Sequence, residues 1–268
     1  MRTILTSALL GSALCCTTGP APASSSQWVD TEGGRVRLVT TGGPGADGML
    51  WGILDIALAP GWKTYWRDPG DAGVPPTVDI SGSANIMAAK IDFPPPQRHD
   101  GGGFQWAGYD HPVALPIAFQ VKSPDRPAVI SAEIFLGICE TICIPVQASL
   151  TVDPASDPDN PEDAAAVSTA RAALPGPAQP DFRVRTVSEP GASTVLLEAV
   201  FPGDPESAEL FIAAEEGYAF GPPSRIMRDG KTLFSVAAEL PAEPGTGPGL
   251  HYTLSTDAGS VSGILPYF

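Results

Sequence analysis

The sequence is short of cysteine, of positive charge and of long apolar runs, and each shortage excludes a class of function. Only 4 cysteines occur in 268 residues. Beyond the N-terminal leader no stretch approaches the roughly 18 uninterrupted apolar residues that a membrane helix needs, so the chain is expected not to be membrane-embedded. Lys and Arg total 15 against 30 Asp and Glu, a formal charge of −15. Such a surface repels phosphate backbones, which disfavours nucleic acid as a partner, and none is expected. An apolar period of 3.6 is missing over most of the chain. What is abundant is punctuation: 30 prolines and 29 glycines separate short β-rich runs, a pattern that points to sandwiches.

Residues 1–23 read as an export signal rather than as structure. Arg2 supplies a positive start, residues 4–14 form an apolar stretch too short to span a bilayer, and Ala21, Pro22 and Ala23 offer a small-residue cleavage site. A lipid anchor is disfavoured, because Leu14 precedes Cys15 and Cys15 precedes Cys16, where a small residue is wanted. Cleavage after Ala23 removes both of those cysteines. Cys139 and Cys143 remain, in an oxidising compartment such as the periplasm, where disulfides form and persist.

Residues 27–153 carry strand patterns. Residues 35–39 alternate, 50–58 form a longer apolar run, and 129–136 and 147–152 bracket the cysteines. Pro116 inside 113–121 predicts an edge strand or a bulge there. An immunoglobulin-like sandwich of about seven strands is the expected fold. Residues 154–180 read as a linker with one short helix that starts at Pro161, has acids in its first turn and Arg171 in its last. Residues 181–268 are expected to form a second, smaller β-sandwich. Within it, Asp229 and Gly230 signal a type I′ hairpin between 226–227 and 232–236, and 251–255 with 260–264 form a last hairpin. The fold class is therefore all-β.

Cys139 and Cys143 lie at the mouth of the hairpin between 129–136 and 147–152. A separation of four residues across a tight loop brings Cα atoms within bridging distance. The loop closed is small, so its entropic stabilisation is modest, and a short-loop disulfide makes a better switch than a staple. Three readings compete. A redox-active pair leads, followed by a structural disulfide and a metal site. Zinc is the weakest metal, since closed sites want four ligands; copper(I) tolerates two thiolates, with His99 and His111 as further nitrogen donors. No Lys or Arg lies within ten residues of either cysteine, and Glu140 adds a negative charge. The local sequence thus offers no activation of a thiolate, and the pair is suited to exchange begun by a partner's thiolate.

Residues 60–73 (PGWKTYWRDPGDAG), then 93–96 (FPPP), Tyr109 and the C-x-x-x-C hairpin, together resemble the periplasmic N-terminal domain of DsbD-type thiol:disulfide interchange proteins. They are closer to its ScsB branch, associated with copper tolerance. The resemblance covers roughly residues 28–152, and a second β domain fits the ScsB pattern more loosely. It implies an immunoglobulin-like redox domain, a component of a protein-disulfide reductase system, that exchanges electrons with thioredoxin-fold periplasmic proteins. It also implies that Cys143 makes the mixed disulfide. A cap over residues 104–109, with Phe104, Trp106 and Tyr109, is implied to shield the pair, with Tyr65 and Trp66 beneath it. No thioredoxin-like or membrane segment follows, so a separate membrane protein is the expected electron donor.

Overall fold

The structure, a computed structural model, describes residues 24–70, 73–100, 105–187, 193–213, 218–239 and 249–266. The leader at 1–23 and Phe104 lie outside the described residues. The first strands are β1 (Val29–Thr31), β2 (Gly34–Thr40), β3 (Met49–Leu58), β4 (Thr64–Tyr65) and β5 (Thr77–Asp79). Next come β6 (Ile86–Ile91), β7 (Gln97–Asp100), β8 (Gln105–Tyr109), β9 (Val113–Val121), β10 (Ile130–Cys139) and β11 (Cys143–Val152). Helix α1 (Pro161–Ala172) follows, then β12 (Gly176–Pro177), β13 (Arg183–Thr186), β14 (Thr194–Val200) and β15 (Glu209–Ala213). The chain continues through β16 (Ala219–Phe220), β17 (Ser224–Arg228), β18 (Lys231–Glu239), β19 (Leu250–Thr256) and β20 (Gly259–Leu265).

Two sheets, ordered β1-β2-β3-β9-β6 and β11-β10-β5, face each other as an immunoglobulin-like sandwich. Strand alternation fills the space between them. Leu38, Leu54, Leu115, Ile117 and Phe119 come from the larger sheet, and Ile134, Leu136, Ile138, Val146 and Leu150 from the smaller. All are buried, and burial of each such side chain contributes about 1.5–3 kcal/mol. The expectation of an edge or a bulge at Pro116 is corrected, because β9 lies between β3 and β6. The irregularity falls in β6, between Ile86 and Ala88. Pro116 is tolerated because β6 ends at Ile91. The Pro116 carbonyl accepts from the Asp92 N–H at 2.8 Å, so the one ladder bond its missing donor forgoes lies opposite Asp92, at the end of the β6 ladder.

Helix α1 begins where Asn160 accepts from the N–H groups of Glu162 and Asp163, a cap reinforced by Pro161 at the first turn. Its apolar residues Val167 and Ala170 cover Val39 and Ile53, which point out of the larger sheet opposite Leu38 and Leu54. The Arg171 guanidinium lies 3.7 Å from the Trp51 ring centroid. Farther along, sheets β12-β20-β19-β15 and β13-β14-β18-β16, with β17 also on β18, form the second sandwich. Its core holds Leu197, Leu210, Phe234, Val236 and Leu254. Asp229 (φ 52°) and Gly230 (φ 71°) make the β17–β18 turn left-handed at both central residues, as a type I′ turn requires.

A third small sheet, β4-β8-β7, lies over the end of the β10–β11 hairpin. Its tightest point is Gly108, paired with Tyr65. A Cβ on Gly108 would overlap the Thr64 carbonyl oxygen and crowd the Tyr65 Cα, so only glycine allows β8 to close on β4. Gly108→Val is therefore expected to cost about 1–3 kcal/mol through overpacking. Urea unfolding measures this, and an unchanged midpoint would refute the tight β4–β8 contact.

Candidate functional site

The site follows from the register of β10 and β11. Their pairing runs from Ile130 opposite Val152 to Cys139 opposite Cys143. Even-numbered residues of β10 point into the sandwich, so the odd-numbered Phe135, Gly137 and Cys139 point to its outer face. The Cys139 N–H donates to the Lys63 carbonyl at 2.9 Å, and the Lys63 N–H returns a bond to the Cys139 carbonyl at 2.8 Å. With both Cys139 backbone groups directed away from β11, Cys139 and Cys143 form a non-hydrogen-bonded pair. That is the position where opposed side chains approach most closely. The two sulfurs are bonded, with Cα atoms 4.1 Å apart.

The two sulfurs have different surroundings. Cys139 is 1% exposed and packs with Tyr65 and Trp106 in a cluster separate from the main core. Cys143 is exposed, as are the turn residues Glu140, Thr141 and Ile142. The Tyr65 hydroxyl reaches both sulfurs, donating to Cys139 Sγ at 3.0 Å and lying 3.2 Å from Cys143 Sγ. Burial raises the Tyr65 pKa, so the hydroxyl stays protonated and available as a donor. Gly137 makes room for that ring, since a Cβ there would lie 3.3 Å from a Tyr65 ring carbon.

Trp106 covers the pair from the cap sheet. It meets Tyr65 edge-on at 5.8 Å between ring centroids. His99, directly opposite Trp106 in the β7–β8 hairpin, stacks on it at 3.9 Å and 9°. The Lys63 ammonium lies 4.8 Å from the same ring centroid, a cation–π contact. Burial lowers the His99 pKa, Asp110 and Glu209 oppose that shift, and Lys63 and His111 reinforce it. His99 Nε2 is buried without a hydrogen-bond partner.

Of the aromatics expected at the cap, Tyr65 and Trp106 are at the disulfide. Trp66 and Tyr109 are corrected to the main core cluster. Trp66 follows Tyr65 in an extended segment and so faces the other way, while the Tyr109 hydroxyl donates to the Pro94 carbonyl at 2.8 Å. Lys63, Gly108 and Gly137 were not among the expected site residues, and His99 was expected only as a nitrogen donor to copper(I). Lys63 was legible from its period-two spacing with Tyr65. His99 was legible as a hairpin partner of Trp106, had 97–109 been read as two strands instead of a loop. The cation missing from the neighbouring sequence is brought in by β4, and its ammonium is directed over Trp106. His111, the other histidine considered for copper(I), lies 3.0 Å from an Asp110 carboxylate oxygen. Among the described residues no group of three or more His, Cys, Asp or Glu side chains is placed to hold a metal ion.

Residues 44–154 match the family described as the N-terminal domain of the thiol:disulfide interchange protein DsbD. This segment is similar to the DsbD-type N-terminal domain. No curated protein matches the chain. Among solved structures, the N-terminal periplasmic domain of ScsB from Proteus mirabilis superposes with a TM-score of 0.73 at 23% identity, over 91% of this chain and 99% of that one. The shared fold therefore extends beyond the DsbD-type domain into the second sandwich. No helix of the described residues is long and apolar enough to cross a membrane.

Two outcomes follow for the DsbD-type domain. Tyr65→Phe keeps the ring and removes only the donor, so reduction of the disulfide by a small thiol should slow by roughly tenfold, the value of a hydrogen bond to a charged sulfur. Quenched alkylation at fixed pH measures it, and an unchanged rate removes the hydroxyl from the chemistry. His99 has a folded pKa below its ordinary 6.5, so the unfolded chain binds its proton first and stability rises with pH across that window. Stability is expected to fall as pH drops below about 6.5. His99→Gln should flatten that part of the urea-midpoint profile.

Proposed function

We propose that Cys139 and Cys143 form the exchange centre of an exported, periplasmic thiol:disulfide interchange module that passes electrons to or from thioredoxin-fold partners. The observation that carries this reading is the asymmetry of the disulfide: one sulfur is sealed under Tyr65 and Trp106, the other is open to a partner at a hairpin tip. A structural disulfide gains nothing from that arrangement. An exchange centre gains a defined point of attack.

In the reducing direction, a partner thiolate attacks Cys143 Sγ, the S–S bond breaks, and Cys139 leaves as a thiolate. The leaving sulfur is the one that accepts the Tyr65 hydrogen bond at 3.0 Å, and a donor to a developing thiolate stabilises the step. The partner's second thiol then attacks its own sulfur of the mixed disulfide and releases Cys143. Two electrons and two protons pass to the pair, and the partner is left with a disulfide. The opposite direction runs the same steps in reverse, with Cys143 as nucleophile. Ile142, 77% exposed at the tip, offers an apolar contact beside the attacked sulfur. The family description and the periplasmic source of the structural neighbour support the same compartment and chemistry.

Trapping tests the proposal. Cys139→Ala leaves Cys143 free, and this form should capture thioredoxin-fold proteins as mixed disulfides, identified by mass spectrometry of non-reduced complexes. Cys143→Ala leaves a sulfur buried under the cap and should capture far less. If neither form captures such a partner, and the wild-type disulfide has a reduction potential below about −300 mV, where inert structural disulfides lie, the pair is a passive cross-link.

A further inference from the structure

Strand β15 is buried on both faces, as the uninterrupted apolar run at 210–213 demands. Leu210 and Ile212 enter the core of the second sandwich, whereas Phe211 and Ala213 enter the core cluster of the first. Phe211 meets Trp66 edge-on, with ring centroids 5.9 Å apart. Its ring centroid also lies 4.8 Å from the Arg98 guanidinium carbon. Arg98 Nη2 donates to the Leu210 carbonyl at 2.8 Å. That carbonyl belongs to the last strand of its sheet, so Arg98 satisfies an edge that would otherwise be open.

Arg98 and His99 are neighbours on β7 and therefore point to opposite faces of the cap sheet. On the His99 side the cap holds Trp106 against Tyr65 and Cys139. The Arg98 side of the cap meets the second sandwich. Trp66, the residue after β4, makes the same connection. Its N–H donates to the Ala107 carbonyl of β8 at 3.1 Å, its ring meets Phe211, and the preceding residue, Tyr65, touches the sulfurs. Beside these contacts a cleft of about 1000 Å³, lined by Asp68, Gln105, Trp106, Phe220, Pro222 and Glu239, separates the cap from the second sandwich.

We infer that the second sandwich clamps the cap, with Arg98 and Phe211 as positioning residues that govern how readily a thiol reaches the Cys139–Cys143 disulfide. The biological use of the clamp rests on the exchange function proposed above. Its physical effect does not, because any small thiol reports on access to the sulfurs.

The test uses the oxidised mature chain and excess dithiothreitol. One reagent thiolate opens the disulfide, the second closes the reagent's ring, and two electrons and two protons move to the cysteines. Alkylation and mass spectrometry count the thiols over time. Arg98→Ala and Phe211→Ala should each be reduced roughly tenfold faster than wild type, because a charged hydrogen bond and an aromatic contact no longer hold the cap closed. Arg98→Lys keeps the charge without the planar fork and should fall between. Leu197→Ala opens a cavity in the second core, on β14 and without a contact to Arg98 or Phe211 in the clamp, and should leave the rate unchanged. Wild-type rates in folded Arg98→Ala and Phe211→Ala would overturn the clamp. Equal acceleration by Leu197→Ala would do the same, by showing general loosening. Should Phe211→Ala fail to fold, Arg98→Ala decides alone. Accelerated reduction in a protein that traps no thioredoxin-fold partner would leave the clamp standing and sink the proposed function.

Discussion

The main chain of Cys139 is committed to Lys63, and most features of the site follow from that pair of hydrogen bonds. Because the bonds draw the Cys139 backbone toward β4, the pair across the hairpin is a non-hydrogen-bonded one. The cysteine side chains are thereby brought close enough to bridge. The same bonds bring β4 alongside the edge of β10 opposite β11, from which the Tyr65 ring reaches over the outer face at Gly137. A small aromatic cluster then forms there, on the side of the sheet away from the main core. Removal of β4 from this position would leave Cys139 as exposed as Cys143, and the distinction between the two sulfurs would vanish.

The segment around β4 also shows how one short motif serves two interfaces. Lys63 and Tyr65 face the cap and the disulfide, while Trp66 turns to the main core and Phe211. Arg67, next along, is half-buried among Trp66 and Phe93, and burial lowers its pKa despite Asp92 nearby. A run so dense in aromatics and cations is otherwise hard to explain in a chain with twice as many acids as bases. Its composition makes sense once each residue is assigned to the disulfide or to the joint between the sandwiches.

Much of this was legible in the sequence, and the failures have specific physical causes. The β10–β11 hairpin was readable because apolar residues at 130, 132, 134, 136 and 138 alternate with outward positions, and that register alone sets Cys139 opposite Cys143. The β17–β18 turn was readable because Asp229 and Gly230 suit positive φ. Tyr65 and Trp66 were grouped under the cap because a motif was read as a unit. In an extended chain, adjacent side chains cannot share a face. Pro116 suggested an edge, but it forgoes only one ladder bond, at the end of the neighbouring strand. The double burial of β15 was written in its unbroken apolar run, although nothing local says which partner covers its second face.

The chemistry of the pair is shaped by what surrounds the buried sulfur. A cysteine thiolate is ordinarily stabilised by a neighbouring cation or a helix N-terminus, and the one lysine that β4 brings to Cys139 directs its ammonium over Trp106 instead. The remaining donor is the Tyr65 hydroxyl. Its raised pKa keeps the proton on oxygen, so it stabilises a thiolate by hydrogen bonding without surrendering charge to it. A hydroxyl is a weaker stabiliser than an ammonium, and the nucleophilicity of a thiolate falls as its pKa falls. The pair therefore combines a poor tendency to ionise by itself with a prepared leaving position once attacked. Under the proposed exchange function, that combination favours reaction begun by a partner's thiolate.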